Sequence, residues 1–252
     1  MIHIKSSREI GAMRRAGEIT GQALMTARHV IEPGIATRQV AAAMQKVIRR
    51  SGAVPAFLGY NGFPGACCIS INDEVIHGIP GRRILREGDI VSVDVGVIWN
   101  GYYGDAAATF PVGVVSVEAM KLIRVTRECF FQGLSLVQEN RRISDISYAV
   151  QQHAEKSGFS VVRDWAGHGV GTRLHEEPEV PNYGDPGHGP RLLRGMTICV
   201  EPMINAGGSE VFIRPDGWTV VTVDGRWSSH YEHTILVTGG PPELLTAWEE
   251  SA

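Results

Sequence analysis

The segment Val91–Phe110 (VSVDVGVIWNGYYGDAAATF) carries two aspartates, Asp94 and Asp105, on the two arms of what reads as a hairpin. Val91, Val93, Val95 and Val97 alternate with Ser92, Asp94 and Gly96, the period-2 pattern of a strand. Asn100-Gly101 is a strong turn signal, because a type I′ turn needs two residues tolerant of positive φ. With those two as the turn, Trp99 pairs with Tyr102 and Gly96 lies opposite Asp105. Asp94 is two residues from Gly96, so the aspartates are diagonal neighbours on one face, roughly 7–8 Å apart at the backbone. Convergent carboxylates repel unless a proton or a cation sits between them, which makes the pair a candidate metal site.

Three further segments offer ligands. Gly167-His168-Gly169-Val170-Gly171 surrounds a histidine with residues that leave space for an approaching group. Thr197–Pro202 ends an apolar run in Glu201, and Tyr231–Val237 begins one with Glu232. Taken alone, each charge reads as sitting on an exposed rim, since a carboxylate in an apolar strand is costly to bury without a partner. Together with Asp94 and Asp105 they form a set of four carboxylates and one imidazole. Two divalent ions would balance those carboxylates, with a bridging hydroxide completing the shell. Such an oxygen-rich set suits Mn(II), Fe(II), Co(II) or Zn(II), and hydrolysis is the natural chemistry of a paired-metal site.

The elements that must position these residues read as helices followed by strands, twice over. Residues 6–30 form an amphipathic helix opened by Ser6-Ser7, with Ile10, Met13, Ile19, Ala23 and Leu24 apolar, and Glu32-Pro33-Gly34 breaks it. Thr37 is expected to cap a second helix that runs to about Arg50 and closes at Ser51-Gly52. Strands follow through residue 110. Ser116-Val117-Glu118 then opens a third helix, and Ser144 is expected to cap a fourth, closed at Ser157-Gly158. Ser51 to Ser157 spans 106 residues and Glu9 to Glu118 spans 109, an offset that suggests two related halves, about 6–110 and 111–238, within one domain covering 1–252. Chance similarity between helical segments is the rival explanation.

Composition narrows the function classes. The chain has 252 residues, 43% hydrophobic and 20% charged, with 24 basic against 27 acidic side chains and a net charge of −3. That balance offers no basic footprint for nucleic acid. No stretch approaches the roughly 20 apolar residues of a membrane span, and the N-terminus lacks a signal pattern, so a cytoplasmic protein is expected. Cys67, Cys68, Cys129 and Cys199 show neither a disulfide framework nor a zinc spacing.

The ordered set of motifs resembles the type I, bacterial-type methionine aminopeptidases, and does so over nearly the whole chain, from about Ser6 to Val237. The motifs are Ile71-Asn72 with His77-Gly78-Ile79-Pro80, the Asp94/Asp105 hairpin, Gly167–Gly171, His175-Glu176-Glu177-Pro178, Glu201-Pro202 and Glu232-His233-Thr234. The resemblance implies an α+β pita-bread (creatinase/aminopeptidase-like) fold, with two pseudo-twofold-related halves, antiparallel sheet inside and helices outside. It implies that Asp94, Asp105, His168, Glu201 and Glu232 hold two divalent ions (Co, Mn, Fe, Zn or Ni), with Asp105 and Glu232 bridging. It further implies that His175 donates to the scissile carbonyl as it becomes an oxyanion and that His77 contacts the amide nitrogen beyond the cleaved bond. Glu201 is the candidate proton shuttle. Tyr60, Phe63, Cys68 and Trp218 map to the methionine pocket.

Phe57 and Leu174 depart from the best-known bacterial pattern, where a cysteine and an aromatic are common. His29, His153, His188 and His230 match no motif and read as structural or exposed. The 26 residues from His175 to Glu201 leave no room for the type II insertion, and a catalytic region starting near Met1 leaves none for an N-terminal extension. The implied function is removal of initiator methionine from nascent chains with a small second residue, near the ribosome, by a monomer. The implied attack is by the bridging hydroxide on the scissile carbonyl. A proline-directed peptidase of the same fold and a non-catalytic peptide-binding protein are the alternatives.

Overall fold

Ser6 opens α1 (Ser7–Val30) through a capping box: its backbone N–H donates to Glu9 Oε2 at 2.7 Å while its hydroxyl faces the Glu9 N–H. The structure, a computed structural model, describes residues 1–248. Ser116 caps α3 (Val117–Leu134) by accepting from Ala119 N at 3.1 Å, as expected. The other two helices correct the expected caps. α2 (Thr37–Arg50) takes Ala36 at its cap, and α4 (Ile143–Lys156) takes Arg142. In both, an acceptor in the first turn closes the box: Gln39 Oε1 receives Ala36 N, and Asp145 Oδ2 receives Arg142 N, each at 2.9 Å. The hydroxyls thereby freed tie down neighbouring loops, Thr37 Oγ1 accepting from Gly81 N and Ser144 Oγ from His188 N. α2 and α4 each have 14 residues, begin 106 positions apart, and end before a glycine of positive φ, Gly52 and Gly158.

A nine-stranded sheet, every pairing antiparallel, forms the centre. Its middle is the pair Tyr102–Pro111 and Glu232–Leu236, joined with Glu232 opposite Ala107. Ile90–Trp99 flanks that pair on one side and Thr197–Val200 on the other, so strands from the two parts of the chain meet at this seam. The hairpin has the expected register, Trp99 opposite Tyr102 and Gly96 opposite Asp105, with Asn100 and Gly101 at φ 49° and 80°.

The two faces of the hairpin do different work. Val91, Val93, Val95 and Val97 are fully buried against Ile19 and Leu24 of α1 and Met44 and Ile48 of α2. Each such side chain contributes about 1.5–3 kcal/mol on burial, which anchors the ribbon to the helices. The alternating face, with Asp94 and Gly96, is left for a cavity. α1 lies against the second arm: Thr20 Oγ1 donates to Gly104 O at 3.1 Å, and a Cβ on Gly104 would sit 2.8 Å from Gly17 N. Glycine is required for that approach. α3 and α4 cover the other part of the sheet through Phe130, Ile146, Leu122 and Val150. No helix among the described residues is long and apolar enough to cross a membrane.

Candidate metal centre

Asp94 lies opposite Cys68 and Ala107, and Asp105 opposite Gly96, so the hairpin register sets both carboxylates on one face. The seam adds the next ligand. Asp105 N donates to Thr234 Oγ1, and that hydroxyl donates to Asp105 O, each at 2.9 Å. This reciprocal clamp locks Asp105 beside Glu232, two residues before Thr234. Glu201 follows the buried strand Thr197–Val200, which pairs with Glu232–Leu236. His168 comes from the strand Ala166–Gly169 beyond it. The Nδ1 of His168 lies 2.9 Å from Gly169 O. A carbonyl only accepts, so Nδ1 carries the proton and Nε2 keeps a lone pair for a ligand. That Nε2 is 3.5 Å from Glu201 Oε1 and 3.9 Å from Asp105 Oδ2.

All five residues border one cavity of about 290 Å³. Ligand atoms of Asp105, His168 and Glu232 lie within 4.8 Å of one another, and so do those of Glu201, Glu232 and His230, so Glu232 belongs to both groups. Burial pushes Asp94 well above the usual carboxylate range, with the Asp105 charge adding to it. Burial pushes Asp105 up to about 7. It raises Glu201 and Glu232 well above their ordinary values too, with repulsion from neighbouring carboxylates second. Asp94 Oδ1, Asp105 Oδ1 and Glu232 Oε1 are buried with no hydrogen-bond partner. Acceptors left unpaired in this way, beside a neutral imidazole lone pair, fit a divalent cation. His168 is driven to about 3, first by burial and then by His175, which keeps it neutral as a ligand must be.

The expected pocket residues Tyr60, Phe63, Cys68 and Trp218 line the same cavity, as do Phe57 and Leu174. Phe63 and Trp218 meet edge to face at 5.1 Å. A Cβ on Gly96 would fall 2.6 Å from Phe57 Cε1, so the glycine between the aspartates admits the Phe57 ring. Cys68 borders the cavity, whereas Cys67 is packed in the core under α1 and α2. His175 stands at the mouth, its ring centroid 4.3 Å from that of His168 and its Nδ1 2.7 Å from Tyr60 OH. His77 adopts φ 59°, a left-handed conformation uncommon outside glycine, and stands edge-on to Trp165 at 5.1 Å. Burial lowers His77 to about 4 and also lowers His175.

Three residues beside the centre escaped the sequence reading. Trp165 left no local signal. Cys199 groups with Asp105, His168 and Glu232, but burial and the Glu232 charge hold its thiol well above its ordinary value, and it stays protonated. His230 was expected to be structural or exposed; it is buried, with Nε2 3.8 Å from Glu201 Oε2. Its signal was the period-2 spacing to Glu232. His153 is half-buried on Glu128 at 2.9 Å, and His29 and His188 are exposed.

A sheet-borne cluster of four carboxylates and an imidazole, opening into an aromatic pocket, has the donor set of a divalent-metal site. The profile of metallopeptidase family M24 matches residues 11–239, and the chain belongs to that family. It is 50% identical to a methionine aminopeptidase of Clostridium perfringens, covering 98% of this chain and 99% of that one. It is 48% identical to methionine aminopeptidase 1 of Bacillus subtilis, with 98% and 99% covered. The crystal structure of a methionine aminopeptidase from Thermotoga maritima superposes with a TM-score of 0.96 at 45% identity, covering 98% of this chain and 99% of that chain. The fold is the pita-bread fold of the family.

Proposed function

We propose that the chain removes the N-terminal methionine from polypeptides with a small second residue, as a metal-dependent aminopeptidase. The observation that carries this reading is the single cavity that joins the five-residue ligand set to an aromatic-lined pocket. Asp94, Asp105, His168, Glu201 and Glu232 would hold two divalent ions of the Mn, Fe, Co, Zn or Ni class. Bound there, the ions would polarise the scissile carbonyl and lower the pKa of water.

The chain's own residues do the rest. Tyr60, Phe63, Cys68 and Trp218 surround an unbranched thioether, to which aromatic edges and a thiol are good neighbours. Phe57 and Leu174 line the same pocket. Tyr60 OH donating to His175 Nδ1 leaves the ring proton on Nε2, where it can meet the developing oxyanion. His77, oriented by Trp165, contacts the amide beyond the bond. Glu201, raised toward neutrality by burial, can take a proton from water and pass it to the leaving amine. Nascent chains in the cytoplasm, met as they leave the ribosome, are the substrates this reading implies, and a monomer suffices because one chain supplies the whole cavity.

The deciding experiment is cleavage of Met-Ala-Ser against Xaa-Pro peptides after chelation and reconstitution with each metal. Restored methionine release is expected. Cleavage of the Xaa-Pro peptides alone would establish a proline-directed enzyme, and failure of the folded protein to bind divalent metal would leave a non-catalytic peptide binder.

A further inference from the structure

His230 is held in place by its main chain and left free at its ring. Its N–H donates to Thr109 Oγ1 and its carbonyl accepts from the same hydroxyl, both at 2.9 Å. Ser92 and Ser229 bond to that hydroxyl as well, at 2.7 and 3.0 Å. The residue pairs with Met203, and Tyr231 N donates to Pro202 O, so the backbone around His230 runs beside the one that carries Glu201. Side chains alternate along this segment. Tyr231 and His233 turn to Phe130 and Trp248 on the helix side. His230 and Glu232 therefore turn to the cavity side.

The imidazole is 2% exposed, yet neither ring nitrogen has a hydrogen-bond partner. An unpaired buried polar ring is costly and needs a reason. Glu201 and Glu232 both bring a carboxylate oxygen within 4.8 Å of it, and Glu201 is the nearer, its Oε2 3.8 Å from Nε2 while Oε1 turns to His168. Closing that gap by roughly 1 Å makes a hydrogen bond. Building on the reading of Glu201 as a metal ligand, we propose that His230 is a positioning residue. Its Nε2–H donates to Glu201 Oε2 and thereby presents Oε1 to the metal. The ring does not border the cavity that takes the methionine side chain, so its effect falls on the metal and on kcat rather than on KM.

The test compares His230→Leu and His230→Gln with the unsubstituted protein, using calorimetric Mn(II) titration and the visible spectrum of the Co(II)-loaded forms. His230→Leu should bind Mn(II) about 10–100-fold more weakly and shift the Co(II) bands, the usual cost of losing a partner that orients a ligand. His230→Gln, whose amide supplies a donor at similar reach, should recover most of that affinity. Its kcat should fall less than that of His230→Leu, with KM for Met-Ala-Ser little changed in both. Unaltered Mn(II) affinity in His230→Leu, or a Gln variant as weak as the Leu variant, overturns the proposal. If His230→Leu does not fold, His230→Gln against the shorter His230→Asn decides, and equal affinities overturn it. An unsubstituted protein that binds Mn(II) but releases no methionine sinks the aminopeptidase reading and leaves this one standing.

Discussion

Glu201 and His175 face the same small volume with different chemistry, and kinetics should separate them. Burial raises Glu201 well above the usual carboxylate range, and its carboxylate lies within 4.8 Å of ligand atoms of His230 and Glu232. Glu201→Gln in the metal-loaded enzyme should cut kcat roughly 10²–10⁴-fold, the range for a lost acid–base group; near-normal turnover would refute the shuttle role. His175 sits at the mouth with its Nδ1 2.7 Å from Tyr60 OH. His175→Ala should lower kcat roughly 10²–10³-fold with little change in KM, the mark of a contact made in the transition state. A pure KM effect would contradict it. At this scale the candidate carboxylates were legible only as a set: alone, each read as an exposed rim charge, whereas Asp105 and Glu232 are buried. Trp165 was not legible, because nothing local distinguishes a half-buried ring-packing tryptophan in a loop.

The loop that carries His175 is held by the N-terminal segment. Lys5 Nζ meets Glu176 Oε2 at 2.7 Å with both side chains buried, and Glu176 Oε1 accepts from the N–H groups of Thr172 and Arg173. Tyr103 N donates to Gly171 O, which fastens the same loop to the hairpin. Lys5→Met would strand a buried carboxylate, and breaking such a pair from one side costs about 3–5 kcal/mol. The expected result is a lower melting temperature together with a lower kcat, read by thermal unfolding and steady-state kinetics. An unchanged melting temperature would show that the pair contributes nothing. The helix boundaries that were expected lay within two residues of those observed because capping chemistry is local. Which residue capped was misread at Thr37 and Ser144, because the competing acceptors and the Gly81 and His188 partners are tertiary facts.

For the whole molecule, buried histidines and buried carboxylates act on stability with opposite signs. His77, His168, His230 and His233 lie at about 4, 3, 3 and 3 against an ordinary 6.5, so the unfolded chain binds more protons below 6.5 and stability rises with pH there. Asp105, at about 7 against 3.8, and the other raised carboxylates bind more protons when folded, so they lower stability as pH rises. The histidine contribution is complete about one pH unit above 6.5, and beyond that only the carboxylates remain. Chelated protein should therefore melt lower at about pH 9 than at about pH 7.5, while divalent metal, competing with those protons, should stabilise more at the higher pH. Equal stabilisation by metal at both values would contradict the buried-carboxylate account.

The amino-acid sequence by itself determined the hairpin and its register, the four helices, and which side chains could ligate a metal. Strand period, turn chemistry and capping all act over a few residues. Asp94 and Asp105 share a face for that local reason alone. The tertiary structure decided that Glu201 and Glu232, more than 90 residues further along, join them. That convergence depends on the order of strands across the seam, which burial of the two helix-covered faces sets and no local spacing encodes. A separate pairing, Met203 with His230, turns a histidine that matched no motif into a neighbour of Glu201.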